Sequence, residues 1–394
     1  MVLDLVPKTA YTELLQDLLL GKAITREEAC FLFQAQASDF TALLWVAGQL
    51  RDQGRGKYVS YSRKVFLPLT NICRDRCAYC TFRRDPDEAG AKTMTPEEVR
   101  QQARRARALG CKEALFSMGD KPELAFPQVK RALQDLGYPD SRSYLHAMCE
   151  LVLEEGLLPH ANPGLMDEAE LLRLREVNVS MGLMLENISD RLLEKGQAHH
   201  ACPDKVPQLR LRTIELAGKH RIPFTTGILI GIGETIAERV DSLFAIQKLH
   251  AQYGHIQEVI IQNFRTKPTI PMRDWPEPTL WDHLRTIAIS RLILGPDMNI
   301  QAPPNLNQDA YPLLLLAGIN DWGGISPLTR DFINPEAPWP HISRLRDHTH
   351  TAGFVLKERL AIYPEYIRRQ GFLAASLRPR VEAMIDAEGY ARQE

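Results

Sequence analysis

The sequence predicts an α/β fold, a (β/α)8 barrel, and three observations carry that prediction. Apolar runs of strand length recur from residue 64 onward. Each is separated from the next by a polar loop and helix-forming sequence. Eight such units fit before residue 326. Continuous apolar strands alternating with amphipathic helices imply a parallel sheet covered on both faces. Eight parallel units imply closure into a barrel of the triosephosphate-isomerase type.

The elements follow in order. Residues 11–53 read as short helices. Thr25-x-x-Glu28 is a capping-box pattern ahead of the apolar run Ala29–Phe33. A further helix runs from Asp39 through TALLWVAGQL toward Gly54 and Gly56. Residues 1–57 therefore form an N-terminal helical cap. VFLPLT is the first strand. Thr95-Pro96-Glu97-Glu98 then starts a helix with a cap residue, an early proline and a glutamate at the third position. EALFSMG is the second strand, followed by helices near 127–136 and 144–154. LLPHAN and VSMGLML are the third and fourth strands. Helices over 204–219 and 236–250 precede FTTGILIG and EVIIQNF, the fifth and sixth. MNIQAP and Asn320–Ile325 supply the last two. The barrel spans 58–350, and 351–394 reads as a helical C-terminal extension.

Composition narrows the function. The chain has 394 residues, 44% hydrophobic and 25% charged, with a formal net charge of −1. No basic field invites nucleic acid. No run approaches the ~20 apolar residues needed to span a bilayer, and the acidic start MVLDLVPKTAYTELLQ reads as no secretion signal. Seven cysteines, an odd number with three clustered, argue against a disulfide framework and for a reduced, cytoplasmic setting.

That cluster is Cys73, Cys77 and Cys80, spaced C-x3-C-x2-C in the loop after the first strand. Three thiolates are too few for a closed zinc site, which takes four ligands. They also leave one iron of a cubic iron–sulfur cluster without a protein ligand, so that a small molecule can bind it. Half of a zinc site and an ordinary electron-transfer cluster stay open on spacing alone. Cys30, Cys111 and Cys149 read as buried small hydrophobes. Cys202 does too, because His199-His200-Ala201-Cys202 lacks a usual ligand spacing.

In a barrel of this kind functional groups gather where strands end. Gly119-Asp120 ends the second strand and Glu186 the fourth. Gly227, Gly231 and Gly233 follow the fifth, without the order that would make a dinucleotide-binding motif. His160, Asn162, Gln262, Asn263, Asn305, Asp321 and Trp322 fall at the remaining strand ends. As a group they form a polar wall for a substrate rich in amides and hydroxyls.

The cysteine spacing, with Tyr79 just before the third cysteine, resembles that of the radical S-adenosylmethionine (radical SAM) family. The resemblance implies a [4Fe–4S] cluster on Cys73, Cys77 and Cys80, with S-adenosyl-L-methionine (SAM) on the open iron. It implies that Gly119 and Asp120 stand where the family has a Gly-Gly-Glu-like turn for the methionine amine. Glu186 would serve the ribose hydroxyls or the amine, and the segment with Gly231 and Gly233 would lie beside the adenine.

Longer blocks, among them GLLPHANPGLM, IIQNFRTKPTIPM and GINDWGGISPLT, resemble the subunit 1 family of 7,8-didemethyl-8-hydroxy-5-deazariboflavin (FO) synthases. The similarity covers roughly 58–350. It implies a carbon–nitrogen lyase acting on 5-amino-5-(4-hydroxybenzyl)-6-(D-ribitylimino)-5,6-dihydrouracil. The implied partners are FO synthase subunit 2, which makes that adduct, and a reduced electron donor such as flavodoxin or ferredoxin. The chain is shorter than a fused two-barrel synthase, so the tyrosine-adding half is expected on a separate protein. Subunit 2 itself, a menaquinone-pathway radical SAM enzyme and an electron-transfer protein are the alternatives.

Overall fold

The computed structural model describes residues 8–392. Residues 1–7, the front of the segment read above as no secretion signal, lie outside the described residues, as do 393–394. The cap consists of α1 (Ala10–Leu19), α2 (Arg26–Leu32) and α3 (Ala37–Arg55). Thr9 and Thr25 start the first two through capping boxes, each side chain accepting from the third residue of its helix. Thr25 and Glu28 do this as their spacing predicts.

From there strands and helices alternate. β1 (Tyr58–Thr70) leads to α4 (Pro96–Ala108), and β2 (Glu113–Met118) to α5 (Pro127–Asp135) and α6 (Ser141–Glu154). β3 (Leu158–Asn162) precedes α7 (Glu168–Arg175). β4 (Ser180–Gly182) precedes α8 (Pro207–Lys219). β5 (Phe224–Ile230) and α9 (Ile236–Tyr253) are followed by β6 (Ile256–Asn263) and α10 (Leu280–Leu294). β7 (Ile300–Gln301) and β8 (Asp321–Ile325) complete the set. All ladders are parallel, and pairing of β2 with β1 closes β1 to β8 into the barrel that the sequence predicts. Along β1 the side chains alternate: Val65 and Leu67 enter the core under the helices, while Lys64 and Phe66 line the barrel interior.

Two expectations about extent are corrected. β4 has three residues, shorter than VSMGLML, because beyond Gly182 the chain leaves the ladder and rejoins β5 only through an isolated bridge from Glu186 to Ile228. The C-terminal extension is not wholly helical. After α11 (Ile342–Thr351) it forms β9 (Val355–Arg359), then α12 (Pro364–Arg368) and α13 (Arg378–Met384). β9 pairs parallel with Tyr58–Ser62 of β1, as a ninth strand.

β9 carries Arg359 under the barrel. Its guanidinium donates to Asp321 at 2.7 and 3.0 Å and to Glu258 at 3.0 Å, and it stacks 4.1 Å from the Tyr363 ring. This corrects the placement of Asp321 at the rim. As the first residue of β8 it lies at the opposite end of the barrel, fully buried and also bonded by Ser60. Trp322 is corrected too. It points outward into the helical layer, donating to Thr349 at 3.0 Å and packing edge-on against Tyr311. Among the described residues no helix is long and apolar enough to cross a membrane.

Removing one partner of a buried ion pair leaves an uncompensated charge, at a cost of about 3–5 kcal/mol. Arg359→Met should therefore lower the urea midpoint strongly, and adding Glu258→Gln should recover part of the loss. A single variant as stable as the parent would show that β9 does not brace the barrel through this arginine.

Candidate active site

The cysteine loop is fixed by its backbone. The Thr70–Thr93 and Ile72–Arg84 bridges fold it back on itself after β1. Ala78 donates to the Ala198 carbonyl at 2.9 Å and accepts from Met272 N at 3.2 Å, which ties the loop to segments following β4 and β6. Gly119 is required by close approach. A Cβ there would lie 2.0 Å from the Ile72 carbonyl oxygen and 2.7 Å from the Cys73 Cβ. The next amide, Asp120 N, donates to Cys73 Sγ at 3.2 Å. All three motif cysteines are free thiols and line one cleft together with Tyr79, Gly119 and Glu186. Tyr79 is buried, its hydroxyl 3.1 Å from His199 Nε2.

This donor set fits a cubic cluster. Three unpaired thiols open onto one cleft with room beside them, and an N–H already points at one sulfur. Burial pushes the Cys73 and Cys80 thiols up, whereas Cys77 is held below the usual range by the Cys202 thiol, with help from Lys205. Metal binding deprotonates such thiols. Cys202 is buried as expected, but its sulfur lies 3.7 Å from that of Cys77.

The acidic residues divide by role. Asp120 lines the cleft, but its carboxylate is committed. Arg142 donates to one oxygen at 2.6 Å and Leu165 N to the other at 2.9 Å. Through these two bonds Asp120 also anchors the turn behind the cysteines, while it still faces the cleft. Asp75, inside the motif, also faces the cleft and was missed by sequence reading. It accepts from Asp204 N at 3.0 Å, and burial with the nearby Asp204 pushes it up to about 6. Glu186 sits at φ 64°, a left-handed position rare for a glutamate, and pairs with Lys205 at 2.7 Å. Burial raises this carboxyl, but Lys205 and Arg210 outweigh it and hold it below the usual range.

Lys205 and Arg210 put positive charge in the same cleft, and neither was singled out from sequence. They lie in an irregular segment and the helix after it, where no strand-end rule applies. Arg210 is fixed by the Met184 carbonyl at 2.7 Å and the Asp204 carbonyl at 3.0 Å.

Below the cleft a second chamber occupies the barrel interior. The two share Asn162, Met184, Gln262, Ile333 and Asn334, so they adjoin. Asn162 and Gln262 thus stand between them, Asn263 lines the cleft, and His160 lines the chamber. His160 is held by Ser180 at 2.6 Å and Asn162 at 3.1 Å, and burial lowers it to about 4, so it is neutral. Three other expected site residues lie elsewhere. Asn305 is turned toward Asp331 and the Ala337 carbonyl and lines a separate cleft. Gly231 abuts Pro278 and Gly233 abuts Trp275, away from both cavities. The chamber adds Lys64, Glu113 and Gln301. The first two were readable as charges at inward positions of neighbouring strands.

The model of the radical SAM superfamily matches residues 67–246. The 7,8-didemethyl-8-hydroxy-5-deazariboflavin synthase of Methanopyrus kandleri is 52% identical over 335 residues, covering 85% of this chain and 100% of that protein. The FO synthase of Nocardia farcinica is 50% identical over 360 residues, covering 88% of this chain; the chain spans 42% of that longer protein. Among solved structures, the FeFe-hydrogenase maturase HydG of Carboxydothermus hydrogenoformans superposes with a TM-score of 0.72 at 20% identity, over 89% of this chain and 80% of that one. Methylornithine synthase (PylB) gives 0.67 at 21% identity, over 87% and 97%. These two likenesses show a shared fold. Half-identity along the full length of a relative, on a barrel whose first loop presents three free cysteines to one cleft, shows more: the chain belongs to the 7,8-didemethyl-8-hydroxy-5-deazariboflavin synthase family of radical SAM enzymes.

Proposed function

We propose that this protein converts 5-amino-5-(4-hydroxybenzyl)-6-(D-ribitylimino)-5,6-dihydrouracil to FO, closing the central ring with loss of ammonia and one further oxidation. The observation that carries the reading is a cysteine-lined cleft adjoining a chamber inside the barrel into which many polar side chains reach. The identity to the Methanopyrus synthase supports the choice of substrate. An electron-transfer protein has no use for such a chamber. In this reading a separate subunit 2 supplies the adduct, and a flavodoxin- or ferredoxin-type donor supplies the electron, in the cytoplasm.

When bound to Cys73, Cys77 and Cys80, a [4Fe–4S] cluster with SAM supplies a 5′-deoxyadenosyl radical. The chain's own residues do the positioning. Lys205 offers a cation to the methionyl carboxylate. Glu186 offers a lone pair to the ribose hydroxyls or the ammonium, and Asp75 a second acidic wall. Leu229 and Phe264 close the cleft with apolar surface, which keeps water from a reactive carbon centre. Asn162 and Gln262 guide the polar substrate between cleft and chamber.

Three measurements follow from this arrangement. Gly119→Ala drives a Cβ into the Ile72 carbonyl, so anaerobic reconstitution should leave the variant with little iron while its circular dichroism stays native. Full iron content would show that the turn does not seat the cysteine loop.

Glu186→Gln keeps the shape and removes the charge, and charge-assisted hydrogen bonds are roughly twice as strong as neutral ones. SAM affinity should fall about tenfold with the cluster intact. Unchanged affinity would take Glu186 out of the SAM site.

The assay of function follows FO fluorescence and 5′-deoxyadenosine. With SAM, reductant and the adduct, the reconstituted protein should make both. With tyrosine and the ribitylaminouracil it should make no FO until subunit 2 is added. FO made from those two precursors by this chain alone would overturn the assignment.

A further inference from the structure

The chamber inside the barrel is lined by two side chains, each with a buried polar atom that no hydrogen bond satisfies among the described residues. Gln301 is only 5% exposed, and its Oε1 has no hydrogen-bond partner among the described residues. Trp339 Nε1 is likewise buried and unpartnered. Both side chains line the chamber. Buried polar groups in folded proteins are nearly always paired, so an orphan calls for an explanation such as a missing ligand.

The surroundings of Gln301 indicate that its amide is placed there by design of the backbone. A Cβ on Gly323 would lie 2.1 Å from Gln301 Nε2, and one on Gly324 would lie 2.0 Å from Lys64 Cε. The paired glycines of DWGGI thus vacate the space that these two polar side chains fill. Lys64 is answered inside the protein, by Glu113 at 2.6 Å. Gln301 is not answered. Beside it, Phe66 and Trp339 stack with ring centroids 5.2 Å apart and planes 4° from parallel, forming an aromatic wall to the same chamber.

A primary amide presents one acceptor and one donor side by side. The matching partner is a group with an adjacent N–H and C=O, which is the imide edge of a pyrimidinedione. A hydroxylated chain would be served as well by the many hydroxyl and carboxylate groups around the chamber and would not need an unpaired amide. We propose that Gln301, lodged in the gap left by Gly323, recognises the imide edge of the substrate's dihydrouracil ring. The aromatic pair Phe66–Trp339 flanks the ring, and Trp339 Nε1 is left to donate to one of its carbonyls. This rests on the substrate assigned above and adds which residue reads which part of it.

The test compares Gln301→Leu with the parent on two substrates, the adduct and the same adduct methylated on its imide nitrogen. A site built to hydrogen-bond a substrate group discriminates strongly against an analogue lacking it. Methylation should therefore cost the parent about tenfold or more in kcat/KM and cost the variant far less, with the loss in the variant falling mainly on KM. Shortening the ribityl chain should penalise both proteins alike. Iron content and SAM affinity equal to the parent's establish that the variant folds. Should Gln301→Leu not fold, Gln301→Glu keeps the shape and the acceptor but loses the donor, and it should show an intermediate methylation penalty. A variant that keeps the parent's full methylation penalty would overturn the assignment of Gln301. A parent that makes no FO from the unmodified adduct would instead overturn the proposed function.

Discussion

The split edge of β1 is the constraint on which the rest of the molecule depends. Its residues 58–62 hydrogen-bond to β9, and those from Lys64 to Thr70 to β2. β8 takes the opposite edge at Ser60–Arg63. A strand has only two edges, so β9 and β2 share one of them, in succession, with Lys112 N bonding to the Arg63 carbonyl at the changeover. Barrel closure, the cysteine loop at Thr70 and the C-terminal strand are therefore set by one register. A slip of one residue in a strand turns every side chain to the other face. Here it would exchange Lys64 and Phe66 with Val65 and Leu67, placing a charge in the apolar layer.

The same register separates what the sequence made legible from what it did not. The strands with long apolar runs, β2, β5 and β6, have an unmistakable pattern, and the structure places them where that pattern predicts. The three cysteines carry their own chemistry in their spacing. β9 is different. Val-Leu-Lys-Glu-Arg has neither apolar alternation nor a β-branched run, and it becomes a strand because Arg359 finds Asp321 and Glu258 beneath the barrel. No local rule encodes a partnership across so much chain. Asp321 and Trp322 show an avoidable error. Functional groups collect at the C-terminal ends of barrel strands, and these two residues begin β8 rather than end it. Their block does matter, through Gly323 and Gly324, whose contribution is the absence of side chains.

Gly119-Asp120 and Glu186 illustrate a subtler limit. Sequence position brought all three to one cleft, but did not show what else reaches the two carboxylates there. Whether a carboxylate is available to a ligand depends on what else reaches it, and Arg142, on α6, reaches Asp120. Glu186 was placed at a strand end, whereas the chain there has already left the ladder and turned to positive φ. Lys205 and Arg210 had no signal at all, because a cation in an irregular segment, or early in the helix that follows it, looks like any solvated charge until the chain is folded.

The distribution of apolar surface explains how the barrel can keep a hollow polar middle. Barrels of this class ordinarily pack their interior with bulky branched side chains. In this chain the apolar layer lies outside the sheet, where strands meet helices, as one extended cluster from Leu14 to Ala391. That layer supplies the hydrophobic stabilisation, which scales with apolar area removed from water. The interior is then free to carry Lys64, Glu113, His160, Glu258 and Gln301. Such groups are tolerable in a buried space only when paired, since an isolated buried charge is very costly. The floor meets this demand internally: Lys64 with Glu113, Arg359 with Asp321 and Glu258. The chamber thus has a floor of paired charges at Arg359 and adjoins the cysteine cleft above, with Asn162 and Gln262 at the boundary between them.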